Sequence, residues 1–335
     1  MVRRAVLDAE NTRHALTELF RPIREELAEA EQIFQQELRS PFPFVQNLVD
    51  HCGDYQGKRL RPALLLLSGR ACGAITRAHP VLAAVVEMIH TATLVHDDVL
   101  DESMIRRHAA TVNAEWGNET AVLLGDYLFT HAFHLAASVD STLACRWIGR
   151  ATNKVCEGEM QQVHQRGNLE LDEPSYFAII EGKTAELTAV ACRLGAHYAG
   201  ADEATTEALG RYGRNLGIAF QIADDILDIW GEERVTGKSL GTDLEKQKLT
   251  LPLIRLLETA DAATAMRIRH MLEAGKAQCR DQLIPLLEDS GALDYSWQKA
   301  HWHVKEAEDA LACLGQSDAR TVLHILAEYT VRRAS

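Results

Sequence analysis

The stretch Pro80–Asp101, PVLAAVVEMIHTATLVHDDVLD, runs an apolar segment of helical composition into the acidic string Asp97-Asp98-Val99-Leu100-Asp101. Pro80 suits the first turn of a helix, where an N–H has no intrahelical partner to lose. The segment through Val95 shows no strand-like alternation. A second stretch, Phe220–Asp228 (FQIADDILD), ends the same way in Asp224-Asp225-Ile226-Leu227-Asp228. In each string the first and last Asp are four residues apart and share one helix face.

Like charges at that spacing destabilise a helix by roughly 0.2–0.5 kcal/mol per pair. By composition, one such string is expected on the order of 0.1 times in a chain this long. Two of them beside the most apolar helices mark a use rather than a solvated helix end. Carboxylates on adjacent turns hold hard cations through oxygen, and Mg²⁺ takes one or two of them together with substrate phosphates. Two facing banks would clamp a diphosphate through bridging metals and neutralise the charge that develops as it leaves. The lack of clustered His and Cys turns the expectation away from zinc and iron.

Outward from these strings the chain reads as all-α. Leu, Ala, Glu, Arg and Gln dominate, and the prolines punctuate: Pro41 and Pro43 separate an N-terminal helix from the next, Pro62 and Pro252 each open a helix, and Pro174 follows the polar turn Gly167–Glu173. We expect a single domain over 1–335, a bundle of about ten to twelve helices with no linker long enough to divide it. Gly231–Lys248, rich in Gly, Lys and Asp, is expected to be a mobile loop.

Of the 335 residues, 47% are hydrophobic, enough for a sizeable core. The net charge of −13 argues against non-specific nucleic-acid binding. Seven scattered cysteines without a C-x-x-C pair fit a reduced, cytoplasmic protein. The mixed-charge start shows no apolar signal region. Val81–Val95, interrupted by Glu87 and His90, is too short and too polar for a transmembrane segment.

Cations surround the acidic strings in sequence. Gly57-Lys58-Arg59-Leu60-Arg61-Pro62 places three before a helix, Arg106-Arg107 follow the first string, and Lys183-Thr184, Lys238, Lys246 and Lys248 come later. Each cluster alone would be an ordinary solvated surface. Beside two acidic strings they become candidate phosphate binders, Arg by bidentate geometry and Lys as a point charge. His90 lies two turns before Asp97 on the same face, which lifts it above a satisfied core histidine.

Together these segments resemble the trans-isoprenyl diphosphate synthase (polyprenyl synthetase) family, especially its medium- and long-chain, octaprenyl-type members. The resemblance rests on Gly57–Pro62, Glu87–Arg107, Gly117–Phe129, Glu157–Glu159, Lys183–Thr184, Phe220–Asp228 and Gly237–Pro252, and covers about residues 50–255. It implies the isoprenoid synthase class I fold around a central cavity, three Mg²⁺ per site and a homodimer. It implies that Lys58, Arg61, His90 and Arg107 bind isopentenyl diphosphate. Asp97 and Asp101, supported by Asp98, would hold two Mg²⁺ on the allylic diphosphate, with Arg106 contacting it. Asp224 would anchor the third Mg²⁺, supported by Asp225 and Asp228. Lys183, Thr184, Gln221 and Lys238 would surround the allylic diphosphate and the developing cation. Glu157 and Glu159 are expected to be core or supporting groups. Gln56, His108 and Gln247 stand where the family often has glycine, which bears on loop geometry and closure rather than on the ligands.

The family's product grows between helices beside the first acidic string. Ala92 and Thr93, five and four residues before Asp97, would line the mouth, and both are small. Val81–Asp97 spans roughly 24 Å at 1.5 Å per residue, room for about five extended isoprene units. Met88, Ile89, Phe129 and Phe133 are candidate floor residues. The expected activity is therefore synthesis of a linear medium- or long-chain polyprenyl diphosphate. Alternatives are a class I terpene cyclase, a shorter-chain geranylgeranyl diphosphate synthase, a non-catalytic subunit of a heteromeric synthase, or a plain helical scaffold. A cyclase would not need the second cationic cluster. A non-catalytic subunit tends to lose acidic ligands, and this chain keeps all six aspartates.

Overall fold

The computed structural model describes residues 18–53, 57–106, 109–139, 142–231, 240–273 and 279–332. From the N-terminus run α1 (Arg24–Glu37), α2 (Pro43–Cys52), α3 (Leu60–Cys72) and α4 (Ala78–Leu100). A short antiparallel pair follows, β1 (Ile105–Arg106) and β2 (Ala109–Ala110), with Ile105 opposite Ala110. Then come α5 (Val112–Trp116), α6 (Asn118–Ala137), α7 (Thr142–His164), α8 (Glu173–Ile180), α9 (Glu186–Tyr198) and α10 (Glu203–Trp230). The rest is α11 (Thr242–Glu245), α12 (Leu251–Thr259), α13 (Ala262–Glu273), α14 (Arg280–Asp289), α15 (Ala292–Ala310) and α16 (Asp318–Arg332).

The fold is all-α, as the composition implies. There are more helices than the ten to twelve expected, because short pieces such as α5 and α11 carry no apolar periodicity of their own. Local chemistry sets several starts. Thr111, Asp172 and Asp202 accept the N–H of Ala114, Ser175 and Thr205 and so cap α5, α8 and α10. Pro43, Pro174 and Pro252 occupy first-turn positions.

The core is built on α3 and α4. Leu64–Leu67 of α3 and Leu82, Val85, Val86, Met88 and Ile89 of α4 have no solvent exposure. α4 packs most closely on α6, α9 on α3 and α10, and α10 on α15. α4 has 23 residues, longer than its apolar stretch alone predicts, and by length and composition it would suffice to cross a membrane. Of its most apolar window, 72% is buried inside the protein, the mark of a core helix.

Between α8 and α9 the chain widens into a π-helical turn, Glu181–Ala185. Such turns often sit at functional sites, and this one carries Lys183 and Thr184. It lies hard against α7 at Gly158, where an added Cβ would stand 2.5 Å from the Lys183 backbone nitrogen. Only glycine permits that approach. Replacing it with alanine (Gly158→Ala) should lower unfolding free energy by about 1–3 kcal/mol, the usual cost of overpacking. Urea denaturation reads this; an unchanged midpoint would show that the close contact is dispensable.

Candidate active site

The two acidic motifs divide their carboxylates in the same way. Successive helical residues point about 100° apart, so the middle Asp of each motif turns away from the outer pair. Asp98 is 1% exposed and Asp225 5%. Arg106 grips Asp98, its Nε donating at 2.9 Å to each carboxylate oxygen and its Nη2 at 2.7 Å to Oδ1. Asp225 accepts from Tyr176 Oη at 2.6 Å and from Gln221 Nε2 at 2.8 Å. Gln221 in turn accepts from Thr184 Oγ1 at 2.8 Å. Burial, and next the neighbouring Asp243, push the Asp225 carboxyl well above the ordinary carboxylate range. The middle aspartates are thus each held by side chains, Asp98 by Arg106 and Asp225 by Tyr176 and Gln221.

The outer aspartates of both motifs remain half-buried, and those of the first, Asp97 and Asp101, meet cations. Asp97 is a last-turn residue of α4, and Asp101 caps that helix. Lys183 Nζ lies 3.6 Å from Asp97 Oδ2, donates to Gln162 Oε1 at 2.8 Å and pairs with Glu159. Burial pushes Asp97 up to about 6, opposed by Lys183 and reinforced by Glu159 and Asp101. Burial alone would also raise Asp101, but Lys248, Lys246 and Lys183 outweigh it and hold its carboxyl below the ordinary value.

On the other side, Asp228 caps α11. It accepts from the Thr242 hydroxyl at 2.8 Å and from the Asp243 N–H at 3.0 Å. Immediately beyond α11, Lys246 and Lys248 reach Asp101 Oδ2 at 2.8 and 3.6 Å. The segment Gly241–Lys248 therefore bridges the two motifs, anchored at both. The composition of Gly231–Lys248 suggests one mobile loop; the stretch from Gly241 onward is instead a short helix with fixed contacts. Gln247 keeps a left-handed φ of +52°, so the backbone shape glycine would favour is held without glycine.

A second cationic site lies two turns back along α4. Arg61 Nη1 donates to His90 Nε2 at 3.1 Å, and Lys58 Nζ sits 5.5 Å from the Tyr329 ring centroid. Arg59 is withdrawn from this group and paired with Glu87 and Glu31 at 2.8 and 3.1 Å. Of the predicted chain-length residues, Met88, Ile89 and Ala92 are fully buried. Thr93 donates to the His90 carbonyl at 2.7 Å. Phe129 and Phe133 are half-buried against the core.

Arg107 and Lys238, with the glycine replacements Gln56 and His108, lie outside the described residues. Sequence reasoning missed Asp243, Arg166 and Tyr176. Glu159, expected among core or supporting groups, pairs with Lys183, and Glu157 is on the surface beside Lys154. Asp243, whose carboxyl burial and Asp228 push up to about 6, had a local signal in its spacing before Lys246 and Lys248. Arg166 and Tyr176 had none.

The donor chemistry suits a hard cation shared with a substrate. Among the described residues no three His, Cys, Asp or Glu form a ready-made metal cage. Mg²⁺ held by one or two carboxylates plus phosphate oxygens does not require one. An all-α fold presenting outer carboxylate pairs from two helices, with lysines at the first, suits an enzyme of metal-bound diphosphates. Comparison with known proteins agrees. The polyprenyl synthetase family model matches residues 42–289. The octaprenyl diphosphate synthase of Haemophilus influenzae is 39% identical over 298 residues, 89% of this chain and 91% of that one. A decaprenyl diphosphate synthase structure from Rhodobacter capsulatus has a TM-score of 0.90 at 36% identity, covering 96% of this chain and 99% of its own. A Caulobacter crescentus polyprenyl synthase structure, complexed with calcium and isoprenyl diphosphate, gives 0.88 at 36% identity, over 96% and 98%. The chain belongs to the polyprenyl synthetase family and is a prenyltransferase.

Removing the Tyr176 hydroxyl (Tyr176→Phe) deprives buried Asp225 of one of its two donors. The expected loss is about 1–3 kcal/mol of unfolding free energy, read by urea denaturation. A loss below about 0.5 kcal/mol would show that the bond does not hold Asp225 in place.

Proposed function

We propose that this single-domain enzyme condenses isopentenyl diphosphate, head to tail and repeatedly, onto an allylic diphosphate, farnesyl or geranylgeranyl. The products are a linear medium- or long-chain polyprenyl diphosphate and pyrophosphate. One observation carries the proposal: α4 bears both the Asp97–Asp101 pair, bridged to the second motif, and His90 with its Arg61 partner. Two diphosphate-binding groups two turns apart on one helix suit two substrates.

Asp97, Asp101 and Asp224 would hold Mg²⁺, three ions per site, with Asp228 shaping the facing segment. Bound Mg²⁺ would neutralise the charge building on the departing diphosphate. The chain's own groups do the rest. Lys58, Arg61 and His90, with Arg107, hold isopentenyl diphosphate so that its double bond faces the allylic carbon. Lys183, Thr184 and Gln221, with Lys238, surround the allylic end, and water exclusion protects the carbocation. The proton then lost goes to the departing diphosphate, so no protein nucleophile is required. The Caulobacter relative's calcium and isoprenyl diphosphate support this reading. A cyclase is disfavoured by the Arg61–His90 site, and a non-catalytic subunit by six retained aspartates.

The product would extend along α4 past Ala92 and Thr93, with Met88 and Ile89 yielding as it grows. Exposed Val122 and Leu123 on α6 and Met160 and Val163 on α7 support a homodimer, and the free cysteines support a reducing cytoplasm. Incubation with isopentenyl diphosphate and each allylic primer, with and without Mg²⁺, tests the activity. Linear product only with Mg²⁺ is expected, and its absence with every primer defeats the proposal. Ala92→Phe should shorten the product on chromatography; unchanged length would sink the tunnel along α4.

A further inference from the structure

Three segments distant in sequence meet at Asp101, and Arg166, just past α7, joins them. Its Nη2 donates to Asp101 Oδ1 at 2.6 Å, and its Nη1 to the Leu100 carbonyl at 3.2 Å. The latter serves one of the carbonyls left without partners at a helix C-terminus. From the opposite side, Lys246 and Lys248 approach Asp101 Oδ2 at 2.8 and 3.6 Å. Gly167, next to Arg166, donates its N–H to the Gln247 carbonyl at 2.9 Å. Gly167 itself has φ +75°, open to glycine, whereas Gln247 at φ +52° is the kind of position that persists only where neighbours fix it. One turn thus fastens α4 through a side chain and the bridging segment through the backbone.

We propose that Arg166 and Lys246 are counter-charges on Asp101 that make metal and diphosphate bind together, each weakly without the other. This rests on the prenyl-transfer reading of the site. Asp101 gives its two oxygens to three cations, so a divalent ion arriving alone must displace one of them from its ligand. A diphosphate arriving with it supplies oxygens for those same cations, Arg by its planar fork and Lys as a point charge. The two ligands are then coupled, and the coupling is reciprocal. Arg166 is a ligand-binding residue in this scheme: its guanidinium passes from Asp101 to the diphosphate.

Calorimetric titration of the full chain, wild type and Arg166→Gln, tests this with Mg²⁺ alone and then with inorganic pyrophosphate at saturating Mg²⁺. The variant is expected to bind Mg²⁺ alone about fivefold more tightly and pyrophosphate about fivefold more weakly, the lower end of usual couplings. Arg166→Lys keeps the charge and should stay within about twofold of wild type on both. Opposite shifts support the proposal, and any other pattern overturns it; a merely structural defect weakens both. Failure of the prenyl-transfer reading is a separate observation: wild-type protein that titrates as expected yet makes no linear product.

Discussion

Repulsion among carboxylates at the ends of buried helices is the constraint around which the molecule's centre is arranged. Six aspartates from two motifs gather with Asp243 and Glu159, and burial pushes the carboxyls of Asp97, Asp225 and Asp243 upward. The effective penalty for an unpaired buried ion is several kcal/mol. The chain divides the load. Asp98 and Asp225 turn inward to Arg106 and to Tyr176 and Gln221. Asp97 and Asp101 keep contact with Lys183, Arg166, Lys246 and Lys248, and Asp228 with backbone N–H groups.

The C-terminal helices contribute support that no acidic motif reveals. Trp230 donates to Glu288 of α14 at 2.8 Å, and Arg280 donates to the Gly231 carbonyl at 2.5 Å, so the acidic end of α10 is tied down just beyond Asp228. Tyr295 and Lys299 of α15 both reach Glu173 at 2.6 Å and secure the start of α8. Tyr329 of α16 stands beside Lys58. The tail thus braces the acidic end of α10, the start of α8 and Lys58.

Much of this was legible in the residues. The Asp strings, the prolines at helix starts and the face shared by His90 and Asp97 are local patterns with fixed geometric meaning. What escaped depends on contacts across the fold. Nothing near Tyr176 announces that it ends at Asp225, 49 residues on. Arg166 looks like any surface arginine until α7 delivers it to the end of α4. Asp98 and Asp225 read as equals of their neighbours because a motif is written as a string, while a helix sends adjacent residues in different directions. Gln247 reads as a lost glycine, yet the contacts around it preserve the bend.

The π-helical turn has a consequence for how α8 and α9 can both serve α10. Absorbing one extra residue shifts the rotational phase of everything after it by about 100° relative to an unbroken helix. Before the shift, Tyr176 addresses Asp225; after it, Thr188 lies against Gly213, where a Cβ would stand 2.4 Å from its carbonyl oxygen. A continuous helix would hold one of these registers and miss the other. The turn is a phase corrector, and Lys183 projects toward Asp97 from the place where the correction is made.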